Sequence, residues 1–229
     1  MAVIHLVLKS KDSGRESMKC RLNRIFLRLY SVFGPQYWWP ADSSFEVIVG
    51  AILTQNTNWS NVEKAIVTLK KKKLLNPRVF FKLSSHRLAG LIKSAGYYNI
   101  KAARLKNFIR FFFVMYAGDI KSMGSQDLMI LRQQLLTVKG IGPETADSIL
   151  LYAFNKPVFV IDAYTKRMLC RHRLLAEDAT YEQAQDIFMR NLRNDAGLFN
   201  EYHALLVKLG KDYCYRHNPE CEICPLHGQ

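Results

Sequence analysis

Long apolar segments are missing from this sequence. It contains no run of about 18 apolar residues, the length that a membrane-spanning helix needs. The apolar N-terminal stretch MAVIHLVLK is short and is interrupted by His5, unlike a signal peptide. Internal repeats are absent as well. We therefore expect an intracellular globular protein, in the cytoplasm or nucleoid, without a membrane partner.

Cysteine is scarce and unevenly placed. The chain has five, two isolated and three close to the C-terminus: Cys20, Cys170, Cys214, Cys221 and Cys224. Nothing in the sequence indicates an oxidising compartment, so a disulfide framework is not expected. The C-x6-C-x2-C spacing of the last three favours a metal or iron–sulfur site. His217 and His227 are alternative ligands there, for example to zinc.

Acidic residues are few relative to basic ones. Asp and Glu number 19 against 33 Lys and Arg, which gives a net charge of +14. An excess of this size favours a polyanionic partner, because each cation placed on a phosphate releases condensed counterions. A soluble basic protein without such a partner has the same composition. The lysine run at 70–73 is typical of a solvated helix end, and a direct DNA contact is the alternative.

Strand alternation is nearly absent, and helical periodicity dominates. The exception is PVFVI, at 157–161, which is interpreted as extended. Residues 8–30 are basic and are interpreted as a helix or a targeting segment, and residues 1–36 receive no functional role. The fold class is predicted to be all-α, with these helical segments: FEVIVGAILTQ, SNVEKAIVTLKKKK, SSHRLAGLIKSA, NIKAARLKNFIRFFFVMY, SQDLMILRQQLLTV, PETADSILLYAF, DAYTKRMLCRHRLL, TYEQAQDIFMRNL and FNEYHALLVKLGKDYC.

The stretch LLTVKGIGPETADSILLYAF, at 135–154, interrupts a helical pattern and restarts it at once. Gly140 and Gly142 allow unusual backbone conformations and the close approach of a ligand. Pro143 suits the first helical position, and Glu144 suits a helix N-terminus. Backbone amides in such a turn can bind a phosphate without reading sequence. With Lys139 in the turn, the stretch is typical of a helix-hairpin-helix, although an ordinary turn has similar residues.

Asp162 follows the extended run in VFVIDAYTKRM and precedes an amphipathic helix. Asp is a preferred N-cap, so a structural role is sufficient to explain it. A catalytic carboxylate at this place would also be ionised and held by its helix. The residue alone favours the cap.

Four motifs and their order resemble the endonuclease III branch of the helix-hairpin-helix DNA glycosylases. They are ILTQNT (52–57), GYYNIKA (96–102), VKGIGPETA (138–146) and VFVIDAY (158–164), and the C-terminal cysteines add a fifth, so that the resemblance covers about residues 38–229. It implies two α-helical lobes: residues 42–155 form a six-helix lobe, and residues 1–41 with 156–229 form the second. It also implies a monomer that binds double-stranded DNA containing damaged bases, in the cleft between the lobes.

The resemblance assigns roles to individual residues. Asp162 matches the catalytic aspartate, and Gln55 matches the residue that fills the gap left by an extruded nucleotide. The phosphate-binding hairpin falls on Lys139, Gly140, Ile141 and Gly142. Such an enzyme flips the base into a pocket, and a fixed carboxylate stabilises the positive charge that develops on the sugar. The same carboxylate can orient or deprotonate the attacking water.

Glu144 occupies the position where family members that also cut the strand carry a lysine. That lysine forms a Schiff base with the sugar, and a carboxylate cannot form an imine. Lys139 is near in sequence but lies in the turn. The sequence therefore predicts a monofunctional glycosylase, without AP-lyase activity.

The segment YWWPADSSFEVIVGAILTQNTNW resembles a bacterial 3-methyladenine DNA glycosylase of the same superfamily. An alkylated adenine is cationic and leaves readily, so its pocket mainly needs aromatic faces. The predicted base pocket consists of Tyr37, Trp38, Trp39, Phe45 and Glu144. Packing of the aromatic residues in the core between the lobes is the alternative. Trp59 is predicted to pack or to contact DNA rather than to line the pocket.

The cofactor and the reaction each have alternatives. The family pattern C-x6-C-x2-C-x5-C binds a 4Fe-4S cluster, and Cys214, Cys221 and Cys224 match its first three positions, whereas the fourth would fall at position 230. The 3-methyladenine branch lacks the cluster. The predicted function is base excision repair of 3-methyladenine or related alkylated purines. An endonuclease III-type enzyme for oxidised or deaminated pyrimidines and a non-catalytic DNA-binding homologue are the alternatives.

Overall fold

A computed structural model describes residues 16–228 of the chain. The regular structure of these residues is entirely helical, which confirms the predicted all-α class. In the described part of the chain no helix has the length and apolar character needed to cross a bilayer. Two compact units are present: Trp39–Pro157 forms one, and the described residues up to Trp38 and from Val158 onward form the other.

The unit Trp39–Pro157, here the hairpin unit, contains eight α-helices, two more than the six that the resemblance implies. They are α2 (Ser44–Leu53), α3 (Trp59–Lys71), α4 (Pro77–Lys82), α5 (Ser85–Leu91), α6 (Tyr98–Tyr116), α7 (Ile120–Ser125), α8 (Leu128–Leu136) and α9 (Pro143–Ser148). The short helices α4 and α7 begin at their own caps, Asn76 and Asp119. Helix α2 begins at Ser43, whose Oγ accepts a hydrogen bond from Glu46 N at 3.2 Å.

The other unit, here the aspartate unit, contains α1 (Met18–Phe33), α10 (Ala163–Arg171), α11 (Tyr181–Met189) and α12 (Ala196–Asp212). The segment predicted to be extended, 157–161, is neither helix nor ladder-paired strand, and its residues 158–161 are buried. Phe159 stacks on Phe188 with ring centres 3.8 Å apart, and Tyr202 meets both rings edge-on. The Tyr202 hydroxyl donates to Leu22 O at 2.9 Å, so α12 also holds α1. This core fixes the backbone that leads into Asp162.

The hairpin itself joins α8 to α9. Val138 and Ile141 are buried in its turn, and Ile141 N donates to Val138 O at 2.9 Å. Below the turn, Arg132 on α8 makes two hydrogen bonds, of 2.6 and 3.0 Å, to the fully buried carboxylate of Asp147 on α9. A bidentate pair of this kind fixes both distance and orientation. The two helices are therefore held together by buried apolar residues and by a buried ion pair.

Candidate DNA-repair site

The two glycines of the hairpin differ in backbone conformation and in surroundings. Gly140 has φ of +99°, a region that favours glycine, and a Cβ added to it would collide with Cγ of Arg104. Gly142 has an ordinary φ of −99°, and an added Cβ would meet no described atom within 4 Å. Gly140 is thus required by the protein's own packing, and the space over Gly142 is open to a ligand.

Gln55 lies against the hairpin. Its amide nitrogen donates to Gly140 O and to Thr145 Oγ1, both at 2.9 Å, and its amide oxygen accepts a hydrogen bond from the Arg104 guanidinium. The structure therefore brings Gln55 together with the predicted phosphate-binding residues. Lys139, also predicted to bind DNA, is exposed, and its carbonyl accepts a hydrogen bond from Asn107 Nδ2 at 2.9 Å.

Lys101 fixes the segment that leads to Gln55. It is 1% exposed, and its ammonium donates to Leu53 O at 2.8 Å and to Ala95 O at 2.7 Å. Burial, with a smaller contribution from the charge of Arg104, lowers the pKa of Lys101 to about 8. The two carbonyls compensate part of the cost of burying this charge.

An aromatic cluster of Trp39, Trp59 and Tyr152 lies in the hairpin unit. The Trp39 ring meets Trp59 edge-on at 4.8 Å and Tyr152 at 5.2 Å with a 45° tilt. The Trp39 ring packs over Gly50, where an added Cβ would lie 3.0 Å from Trp39 Cζ2. Tyr152 belongs to a π-helical turn, Ile149–Ala153, that continues α9; such turns are frequent at functional sites. All three side chains of the aromatic cluster are partly exposed.

The other residues predicted for the base pocket have different surroundings within their own units. Tyr37 is 84% exposed, with a left-handed φ of 51°. Trp38 belongs to the aspartate unit, where Lys211 Nζ lies 5.8 Å from its ring centre. Phe45 is buried and meets Phe80 edge-on at 5.3 Å, so it contributes to the core of the hairpin unit. Glu144 is exposed in the first turn of α9.

Asp162 is the N-cap of α10, as its position in the sequence suggested. Its Oδ1 accepts a hydrogen bond from Thr165 N at 2.7 Å, and its Oδ2 lies 3.7 Å from Nε2 of His203 on α12. Burial lowers the pKa of His203, and the charge of Asp162 opposes this to a smaller extent. The carboxylate is 13% exposed, so it is largely enclosed but reachable.

The three C-terminal cysteines differ in environment. Cys214 is buried and its Sγ accepts a hydrogen bond from Arg171 at 3.0 Å, whereas Cys221 is exposed. Burial raises the pKa of the Cys224 thiol, and the nearby thiols add to this. Within residues 16–228, no three His, Cys, Asp or Glu side chains are arranged to hold a metal ion. These residues do not form the four-thiolate set that a 4Fe-4S cluster uses, and the cluster stays a prediction to which we assign no chemical step.

The sequence interpretation did not identify Arg104, Tyr152 or His203. Arg104 follows the GYYNIKA motif by two residues, and its spacing of three from Lys101 places both on one face of α6. That spacing was an available signal. Tyr152 and His203 resemble ordinary core positions of α-helices, and only tertiary structure brings them to Trp39 and Asp162.

Residues 49–194 match the family described as HhH-GPD superfamily base excision DNA repair protein, and the chain belongs to this family. It is a DNA repair glycosylase of the helix-hairpin-helix type, with the endonuclease III-like fold that the motifs predicted. A protein of Methanocaldococcus jannaschii, provisionally assigned as a DNA repair glycosylase, is 46% identical over 89% of this chain and 92% of its own length.

More distant relatives include endonuclease III and a 3-methyladenine DNA glycosylase. Endonuclease III of Thermotoga maritima is 28% identical over 80% of each chain. An endonuclease III–DNA complex superposes with a TM-score of 0.79, covering 92% of this chain and 94% of that one, but at 19% identity it shows the fold alone. The 3-methyladenine DNA glycosylase of H. pylori, bound to 1,N6-ethenoadenine, superposes with a TM-score of 0.72 at 28% identity. The match covers 86% of this chain and 98% of that one. The monomeric state and the intracellular location stay predictions.

Proposed function

We propose that this enzyme is a monofunctional DNA glycosylase that releases 3-methyladenine or related alkylated purines. The observation that carries the proposal is the aromatic cluster of Trp39, Trp59 and Tyr152. Its rings pack against one another and remain partly exposed, unlike the buried pair of Phe45 and Phe80. Aromatic faces attract a cationic base by stacking and by cation–π interaction. A similar protein that is 28% identical is itself a 3-methyladenine DNA glycosylase.

Asp162 carries the chemistry in this proposal. The bond between sugar C1′ and the base nitrogen breaks, and its electron pair leaves with the base, which becomes neutral because the alkylated base was cationic. The developing positive charge on the sugar faces an ionised carboxylate whose orientation α10 fixes through Thr165 N–H. Water then adds to C1′, and Asp162 accepts its proton.

The hairpin and Gln55 hold the DNA. The open backbone at Gly142, together with Lys139, is suited to a DNA phosphate, because no side chain obstructs the approach. Gln55, attached to the same hairpin, fills the space that the flipped nucleotide leaves.

Glu144 makes the enzyme monofunctional in this proposal. It stands on α9 where lyase members of the family carry an amine, and a carboxylate cannot form an imine with the sugar. We expect no borohydride-trapped adduct between the enzyme and DNA. Glu144→Lys, which supplies the amine, is expected to form one. An adduct in the unmodified enzyme that disappears in Lys139→Met would contradict the proposal and identify Lys139 as the nucleophile.

The substrate is tested by base release from duplexes that contain 3-methyladenine or a stable analogue, uracil, or thymine glycol. We expect release of the alkylpurine with intact abasic sites. Trp59→Leu, which removes the ring that packs on Trp39 but keeps the Asn58 cap of α3, is expected to reduce this release by loosening Trp39 while leaving the affinity for undamaged DNA unchanged. Release of thymine glycol or uracil, without release of the alkylpurine, would replace the proposal with a pyrimidine enzyme.

A pyrimidine glycosylase is the second candidate. One comparison supports it: endonuclease III of Thermotoga maritima is 28% identical to this chain, the same identity as that of the 3-methyladenine enzyme. A homologue that binds DNA without chemistry is the third. Binding to damaged duplexes with no base released from any of them would support that alternative.

A further inference from the structure

One face of α6 carries three polar side chains at a spacing of three residues. Lys101 donates to Leu53 O at 2.8 Å, Arg104 donates to the Gln55 side chain, and Asn107 donates to Lys139 O at 2.9 Å. Residues three apart on a helix are neighbours on one face. Helix α6 therefore contacts both the segment that carries Gln55 and the turn of the hairpin.

Arg104 is the residue of this face that contacts both. Its guanidinium binds the Gln55 amide oxygen, and its aliphatic stem occupies the place where a side chain at residue 140 would be. Gln55 in turn donates to Gly140 O and Thr145 Oγ1. Arg104, Gln55 and the hairpin are therefore each in contact with the other two.

We propose that Arg104 is a positioning residue that fixes Gln55 relative to the hairpin, so that the residue that enters the duplex and the residues that hold the phosphate act as one rigid unit. The inference rests on the roles proposed above for Gln55 and the hairpin. A charged donor fixes the amide orientation, because the Gln55 oxygen must then face Arg104 and its nitrogen must face the hairpin. Without Arg104, the amide nitrogen keeps its bonds to Gly140 O and Thr145 Oγ1, but the amide oxygen loses its charged donor and Gln55 is held less firmly.

A double-mutant cycle tests this role. Arg104→Met keeps the stem over Gly140 and removes the guanidinium, and Gln55→Ala removes its partner. The readout is the affinity for a duplex with a stable abasic analogue, relative to an intact duplex, which requires neither chemistry nor a particular lesion. We expect Arg104→Met to reduce this preference by about tenfold, the size of one hydrogen bond to a charged group. In the Gln55→Ala background the same change is expected to have less than about a twofold effect.

A direct contact between Arg104 and a DNA phosphate is the competing explanation, and salt dependence separates the two. A lost phosphate contact lowers the slope of log affinity against log salt by about one. We expect Arg104→Met to leave the slope unchanged, and Lys139→Met to lower it. Arg110→Met, an exposed position on the same helix, is the matched control and is expected to change neither quantity.

The outcomes are distinct. Equal effects of Arg104→Met in both backgrounds, a lowered salt slope, or no effect on the abasic preference would each overturn the inference. If Arg104→Met does not fold, Arg104→Lys carries the same cycle, because it keeps the charge and the stem but not the planar fork. A different result would contradict the proposed function: the unmodified enzyme binds the abasic analogue preferentially but releases no alkylpurine.

Discussion

His203 Nε2 lies 3.7 Å from Oδ2 of Asp162, inside the aspartate unit. The imidazole is buried, and burial lowers its pKa below the ordinary value of 6.5. The folded protein therefore keeps a neutral ring beside the Asp162 carboxylate at neutral pH. A charged ring there would reduce the negative field that Asp162 presents to a developing cation.

The stability of the protein is expected to decrease as the pH falls below about 6.5. Below that value the histidine of the unfolded chain takes up a proton while the buried His203 does not, so protonation favours the unfolded state. The decrease continues until the pH reaches the lowered pKa of the folded state. Urea midpoints measured at about pH 7.5 and about pH 5.5 should differ more for the unmodified protein than for His203→Gln. Equal differences for the two proteins would contradict the prediction.

Asp162→Asn is expected to separate catalysis from capping. Asn caps a helix about as well as Asp, so α10 should keep its hydrogen bond from Thr165 N and the melting temperature should not change. Base release should fall by about two to four orders of magnitude, because the amide carries no charge and accepts no proton. Asp195→Asn, at the cap of α12, is the control and should retain activity. A melting temperature lowered only in Asp162→Asn would show that the carboxylate charge also contributes to stability.

The two hairpin glycines are expected to respond differently to alanine. Gly140→Ala places a Cβ against Arg104 at a positive φ and should cost about 1–3 kcal/mol of unfolding free energy. Gly142→Ala enters open space at an ordinary φ, so stability should change by less than about 0.5 kcal/mol while DNA affinity decreases. Denaturant unfolding and duplex binding measure the two effects. Comparable destabilisation by both substitutions would contradict the structural distinction.

The Arg132–Asp147 pair is expected to be costly to break. Arg132→Met leaves a fully buried carboxylate without its bidentate partner and should lower the free energy of unfolding by about 3–5 kcal/mol. Arg190→Met removes an exposed pair with Asp186 and should cost less than about 1 kcal/mol. Denaturant midpoints of the two variants provide the comparison. A similar small loss in both would mean that the carboxylate of Asp147 finds another partner.

Local patterns in the sequence predicted a large part of the fold. The helix-hairpin-helix and the Asp162 cap depend on neighbouring residues, and both are present. Helices α4 and α7 were not predicted, because six residues are too few for an apolar periodicity to appear. The all-helical class was predicted from helical periodicity, and the family from short motifs, each of which spans only a few consecutive residues.

The aromatic cluster was harder to predict, because it forms only in the tertiary structure. Every residue of α2 from Phe45 to Leu53 is buried, so no apolar stripe indicates which side faces the core. Phe45 therefore looked equivalent to Trp39 as a pocket residue. Tyr152 is more than 100 residues from Trp39 along the chain, and no local rule links them. Trp59, expected to pack or to contact DNA, packs on Trp39.

The hydrogen bond between Thr165 N and Asp162 has an evolutionary consequence. A descendant that lost its chemistry would still benefit from an acidic or amide side chain at the start of α10, because the helix requires a cap with or without catalysis. An aspartate at this position in a related chain is therefore weak evidence of activity. Replacement by Asn is the informative event, since selection for folding alone does not distinguish the two residues, and only selection for the reaction does.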